Sequence, residues 1–337
     1  MHHDMKRFVR EILKSPRRRA IPIMTSPGID LTGAKPVEVF RDGALQFRCI
    51  QALAGAVHAD ALVTFMDLSV EAEAFGSPMR YSEHENPTVS GSIASTPEAI
   101  DALAVPEVGA KRTAEVLRCA ELCAANLDRP VLGGMIGPFS LAGRLADMTE
   151  IMILAAMEPE AAARLLGKTT AFLTGYAKAI RSTGVNGLVI AEPAAGLLSP
   201  DMCREFAADY LKKIVAAVQD DDFMVVLHNC GNAANRQIPA LVSTGAAALH
   251  LGNAVSLPEL LPQMPPEVLL MGNIDPVGVL KNGTPEEVYA KTAGLLRETA
   301  AWPNYVLSSG CDVPPGVSLE NIRAFFRALD DYNQTVK

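Results

Sequence analysis

Eight short apolar runs of strand type, each followed by a longer stretch with helical spacing, constrain this chain more than any other feature. They cover residues 20–25, 61–67, 131–137, 187–191, 223–228, 247–252, 268–273 and 305–309. Several are apolar at successive positions, as in Phe223-Met224-Val225-Val226-Leu227. A strand with one face in water alternates, whereas one that is apolar throughout is covered on both faces, as in a parallel sheet flanked by helices. The helical stretches carry start signals of their own. Ser199-Pro200-Asp201 predicts a helix to about Gln219, Thr284-Pro285-Glu286-Glu287 one to about Ala300, and Ser318-Leu319-Glu320 opens the last. Alternating strands and helices imply a parallel sheet. A count of eight favours closure into a (β/α)8 TIM barrel over an open doubly wound sheet. No G-x-G-x-x-G follows the first run, and Gly133-Gly134 lies inside a strand-like run, so a dinucleotide-binding fold has little support.

With 337 residues, 49% of them hydrophobic, the chain can bury a large core, and the barrel reading makes 1–337 one domain. Two accessory segments stand out. Residues 1–19 form a basic helix in which Lys6, Arg7, Arg10, Lys14, Arg17, Arg18 and Arg19 crowd together. That run reads as a solvated face or a docking face for an acidic partner. Residues 71–93, polar and rich in turn formers, read as a hairpin or lid over one barrel mouth. A net charge of −8 argues against a nucleic-acid surface. No apolar run approaches the roughly 18–20 residues of a membrane span, and no apolar stretch follows the basic N-terminus as a secretory signal requires. A cytoplasmic protein with reduced thiols is expected. Six cysteines without regular clustering do not make a disulfide scaffold and leave sulfur free for metal.

In a barrel, reactive residues gather at the C-terminal ends of the strands. The unusual residues of this sequence fall there. The fifth run ends Leu227-His228-Asn229-Cys230-Gly231-Asn232, the eighth Ser308-Ser309-Gly310-Cys311-Asp312, and the fourth Ile190-Ala191-Glu192-Pro193. Two thiolates with an imidazole select zinc among the common metals, and three protein ligands with an exchangeable fourth position mark a catalytic site. Each of His228, Cys230 and Cys311 alone reads more simply as a core residue; together, at strand ends flanked by glycines, they read as metal ligands. Glu192 is either a fourth, displaceable zinc ligand, a base lying just outside the ligand set, or a plain pocket-lining acid. Asp67 and Asp275 also sit at strand ends, as candidates for chemistry or as loop anchors through Asx-type hydrogen bonds. His250 lines the pocket or packs in the core. Cys49, Cys119, Cys123 and Cys203 lie in helical patterns as small core residues; Cys119 and Cys123 are spaced i, i+4, but nothing nearby completes a site. His58 and His84 fit no pattern.

With these residues in place the chain resembles the uroporphyrinogen decarboxylase superfamily, specifically its corrinoid-dependent methyltransferase branch. The resemblance runs over almost the whole chain: Ala20-Ile21-Pro22-Ile23, the segment from Asp67-Leu68-Ser69-Val70-Glu71 to Phe75-Gly76, Gly137-Pro138-Phe139, Glu192-Pro193-Ala194 with Ser199-Pro200, Gly272-Asn273-Ile274-Asp275-Pro276, and Gly310-Cys311-Asp312. Its most specific part is a His-x-Cys…Cys zinc motif, which maps onto His228, Cys230 and Cys311. The decarboxylase itself fits poorly. It uses no metal and carries a substrate-gripping arginine near its N-terminus, where this chain has Met24-Thr25-Ser26-Pro27-Gly28.

The resemblance implies transfer of a methyl group from a methylcorrinoid to a thiol such as coenzyme M, with zinc keeping the thiol deprotonated. It also implies a separate corrinoid-binding protein docking over the strand C-termini, since this chain has no recognisable corrinoid module. Homocysteine is a second candidate acceptor, and the reaction can run in reverse as demethylation of a methylated substrate onto Co(I). The rival from outside enzymology is a zinc-stabilised binding scaffold with a closed, four-ligand metal. The sequence does not assign an oligomeric state.

Overall fold

The computed structural model describes residues 3–83 and 86–336; His84 lies outside the described residues. The strands are β1 (Leu62–Val63), β2 (Met79–Arg80), β3 (Thr88–Val89), β4 (Val131–Ile136), β5 (Gly187–Ala191), β6 (Met224–Asn229), β7 (Ala248–Leu251), β8 (Leu269–Ile274) and β9 (Tyr305–Ser309). β2 and β3 pair antiparallel as a hairpin within the expected 71–93 excursion. The other seven form one parallel sheet in chain order, β1-β4-β5-β6-β7-β8-β9, with helices in every connection between consecutive strands. Ile21, Val63, Leu132, Val189, Val226, Ala248, Met271 and Val306, one from each of the eight expected strand segments, belong to a single inner cluster of buried residues. The sheet therefore curls around a filled interior.

The barrel is not closed by strand pairing. The first expected strand, 20–25, is extended chain with a single parallel bridge, Ala20 to Leu307, and the helix Ser26–Thr32 follows directly. On the β9 side it behaves as a strand: the Ile21 N–H donates to the Leu307 carbonyl (2.9 Å), and the Leu307 N–H donates to that of Arg19 (3.0 Å). On the β1 side Ala20 exchanges hydrogen bonds with Asp60, one to its carboxylate (2.7 Å) and one from its N–H (2.9 Å). The next residue facing that way is Pro22, which has no N–H to give, so the ladder stops. β1 is itself short. Where its pairing with β4 ends, side chains take over: Thr64 Oγ1 accepts from the Gly134 N–H (2.9 Å) and Glu71 Oε1 from that of Ile136 (3.1 Å).

The caps read from sequence are present. The Ser199 hydroxyl accepts from the Met202 N–H and that of Ser318 from Asn321, and Thr284 with Glu287 forms a full capping box. The basic N-terminal helix, Met5–Lys14, puts Met5 and Ile12 into the inner cluster and so plugs the barrel floor. Its outer face carries the ion pairs Lys6–Asp221 and Arg7–Glu11. Arg18 departs from the solvated-face expectation. It is buried, and its guanidinium donates to the carbonyls of Thr299 and Ala300.

Candidate metal centre

Side chains alternate along a strand, so the inner positions one layer above Val226, Ala248 and Val306 are His228, His250 and Ser308. The parallel register of β6 and β7 sets His228 directly beside His250. Cys230 follows on the turn leaving β6. Asn229 shapes that turn, accepting from the Gly231 N–H (2.8 Å) and donating to Gln237 Oε1 (3.2 Å). Gly252, just past β7, lets Cys230 lie close, since a Cβ there would sit 2.7 Å from Cys230 Cα. Cys311 arrives from β9 through Gly310, whose N–H donates to the Ile274 carbonyl (2.7 Å).

These placements bring the three expected ligands together. Their ligand atoms all lie within 4.8 Å of one another, the only such His/Cys/Asp/Glu group of three or more among the described residues. Cys311 Sγ stands 3.6 Å from His228 Nε2. With zinc bonds of about 2.3 Å to sulfur and about 2.0–2.1 Å to nitrogen, one S–N edge of a tetrahedron is also about 3.6 Å. The donor set and this spacing fit a tetrahedral zinc. His228 is buried while both cysteines are half-buried, so the cluster opens towards the mouth. The two thiols share a hydrogen bond, which eases the first ionisation and opposes the second: Cys230 is lowered to about 7, while Cys311, also disfavoured by burial, is pushed up to about 12.

His228 is held from behind. Its Nδ1 lies 2.7 Å from His250 Nδ1, His250 Nε2 lies 2.8 Å from Ser308 Oγ, and the Ser308 hydroxyl donates to the Ile21 carbonyl (2.8 Å). His250 is fully buried, and burial, reinforced by His228, pushes its pKa well below the ordinary histidine value.

The expected acids are not brought into the cluster. The carboxylate of Glu192, expected as a fourth ligand or base, accepts instead from the N–H groups of Phe139 (2.9 Å) and Ser140 (2.6 Å) in the first turn of the helix Pro138–Ala146. That position attracts an anion. Burial nevertheless pushes the carboxyl up to about 7. Asp67 accepts from the Ser69 N–H (3.0 Å) and pairs with Arg112. Asp275 accepts from the N–H groups of Val277 and Gly278. Both take the loop-anchoring form. Cys119 and Cys123 are buried, their sulfurs 4.0 Å apart.

Sequence reasoning missed two buried charges near the mouth. Arg112 binds Asp67, Glu73 and the Ser69 hydroxyl, and Tyr81, beyond β2, ties the hairpin to this node by donating to Glu73 (2.9 Å). Glu71 is buried with its pKa raised to about 7 by desolvation. Its place in the stretch from Asp67 to Gly76 was a signal. Arg112 had none, because its partners lie some 40 residues upstream.

Comparison with known proteins returns methyltransferases and decarboxylases. The methylcobamide:CoM methyltransferase MtbA of Methanosarcina mazei is 27% identical over 309 residues, 90% of this chain and 89% of that protein. A uroporphyrinogen decarboxylase of Prochlorococcus marinus is 27% identical over 291 residues, 84% and 81% of the two chains. A solved methyltransferase from Methanosarcina mazei superposes with a TM-score of 0.86 at 24% identity, over 97% of this chain and 98% of its own, and so shares the fold. The uroporphyrinogen decarboxylase (URO-D) family pattern matches residues 16–332, and the chain belongs to that family.

Proposed function

We propose that this protein is a zinc-dependent methyltransferase that moves a methyl group from a methylcorrinoid, carried by a separate corrinoid-binding protein, to a small thiol. The observation that carries the reading is the convergence of His228 Nε2, Cys230 Sγ and Cys311 Sγ at the open end of the barrel. On the resemblance, a metal-free decarboxylase of the same family would have no use for that set, and similarity alone does not separate the two activities. The names of relatives such as MtbA point the same way.

Bound to this trio, zinc would supply the positive charge that keeps a thiol deprotonated near neutral pH. Cys230 and Cys311 as thiolates offset that charge, leaving the incoming sulfur electron-rich. His228 contributes a neutral nitrogen. The substrate sulfur would attack the methyl carbon, and the methyl–cobalt bonding pair would stay with the corrinoid's cobalt as Co(I). Glu192 holds the helix Pro138–Ala146 against the end of β5 and so supports the site from its margin.

The corrinoid is too large to enter the barrel and must meet the mouth from outside. Exposed Leu31, Leu197 and Val277 stand on segments that follow the first segment, β5 and β8, on the ligand-bearing face. They suit a partner protein better than water. No helix among the described residues is long and apolar enough to cross a membrane. The six cysteines are free, which suits a cytoplasmic site of action.

Metal content tests the centre. About one zinc per chain is expected, lost on Cys230→Ala or Cys311→Ala with the circular dichroism spectrum retained. Full occupancy in both variants refutes the assignment. Coenzyme M, homocysteine and a simple alkyl thiol, each tested against methylcobalamin, then identify the acceptor. If none is methylated while a methylated amine or ether methylates Co(I), the direction of transfer is the reverse.

A further inference from the structure

We infer that His250 is a positioning residue that, through Ser308, fixes the tautomer of His228 and presents a bare Nε2 to the metal centre before any metal arrives. The inference rests on reading His228, Cys230 and Cys311 as metal ligands and goes beyond it, because nothing in that reading specifies how the imidazole is set.

The argument follows each hydrogen along the chain of contacts. Ser308 has one hydroxyl hydrogen, and its contact with the Ile21 carbonyl (2.8 Å) consumes it, because a carbonyl only accepts. Ser308 Oγ can then meet His250 Nε2, 2.8 Å away, only as an acceptor, so the proton of His250 sits on Nε2. The ring is fully buried, and the side chains its two nitrogens meet, at 2.7 and 2.8 Å, are another imidazole and a hydroxyl, neither of them an anion. A second proton would leave a buried cation without a counter-ion. Nδ1 of His250 is therefore a lone pair. The 2.7 Å contact between the two Nδ1 atoms then requires His228 to donate its Nδ1 hydrogen. Of the two neutral tautomers of His228 this selects the one whose Nε2 carries no hydrogen, 3.6 Å from Cys311 Sγ. Each step excludes the alternative tautomer.

The acceptor behind His228 is unusual. Metal-bound histidines commonly donate their second N–H to a carboxylate, a backbone carbonyl or water. Here it is a neutral imidazole, anchored in turn on the first segment at the seam with β9. A carboxylate would add negative charge behind a set that already has two thiolates. His250 orients the ring without adding any.

Long-range 15N–1H correlation spectra of the metal-free protein read both tautomers directly. The expected result is His228 protonated at Nδ1 and His250 at Nε2, with Ser308→Ala giving mixed populations at His250. Zinc affinity, measured by chelator competition, should fall about 10–100-fold in His250→Leu. His250→Gln should recover most of that loss, since its amide oxygen accepts from the His228 N–H. A purely structural role would move neither the tautomer nor this rescue. Metal-free wild-type protein with His228 protonated at Nε2 overturns the inference and leaves the ligand trio standing. Failure of the wild type to bind zinc overturns the trio, while the spectrum still decides the tautomer. If His250→Leu does not fold, the wild-type and Ser308→Ala spectra suffice.

Discussion

Loading zinc into the metal-free protein between pH 6 and pH 8 should release a number of protons that the geometry of the site sets. The thiol pair ionises in two steps, the first near 7 and the second near 12, and these belong to the pair, not to either sulfur alone. His228 Nε2 contributes none if its proton already sits on Nδ1. At pH 6 about nine-tenths of the first step remains protonated, so about 1.9 protons leave per zinc; at pH 8 about 1.1 leave. Affinity rises tenfold per pH unit for each proton released. Summed over the two units this is about three decades, or about 4 kcal/mol at 1.36 kcal/mol per decade. Isothermal titration calorimetry in buffers of different ionisation enthalpy, repeated at each pH, measures the proton count. A release that stays at two up to pH 8 would refute the shared proton between Cys230 and Cys311. A third proton at pH 6 would mean that Nε2 was not bare.

Three further outcomes are expected. Glu71, with its folded pKa raised from 4.5 to about 7 by burial, costs the wild type about 3 kcal/mol as pH rises through that window; the stability is fully present below about pH 4.5 and lost by about pH 7. Glu71→Gln removes the dependence, so urea midpoints of the two proteins should diverge between pH 5 and pH 8, and parallel curves would refute the buried charge. Glu192→Gln should keep its zinc, because the carboxylate lies on Phe139 and Ser140 and not among the ligands; loss of metal by elemental analysis would put Glu192 back in the ligand set. Arg112→Gln strands Asp67 in a buried site and should cost about 3–5 kcal/mol in denaturant unfolding, with a loss below about 1 kcal/mol counting against the node.

The sheet was legible because its strands are covered on both faces, and runs such as 223–227 therefore carry no polar interruption. The first segment was misread for a definite reason. Its hydrophobicity is that of a strand, but Pro22 withdraws one donor, and apolarity does not register a missing N–H. The metal ligands were legible because all three lie within two residues of a strand end, where barrel geometry decides direction almost by itself. Glu192 satisfied the same rule and still went elsewhere, since the helix starting at Pro138 offers it two N–H groups. The relay behind His228 was hidden because it depends on lateral register. A faint signal existed: β6 and β7 close on His228 and His250, each followed shortly by Gly-Asn, at Gly231-Asn232 and Gly252-Asn253.

The seam between the first segment and β9 bears on how the molecule is made. Ile21 reaches the Leu307 carbonyl, 286 positions further along the chain. Arg18 is fastened to Thr299, Ala300 and Asn333. Ribosomes add about 5–20 residues per second, so the first segment waits about 15–60 s for its partner to be synthesised. Until then the β9-facing side of the first segment and the guanidinium of Arg18 lack their partners. A nascent chain of this protein is therefore expected to engage holdase chaperones throughout elongation, and to leave them only after β9 has emerged.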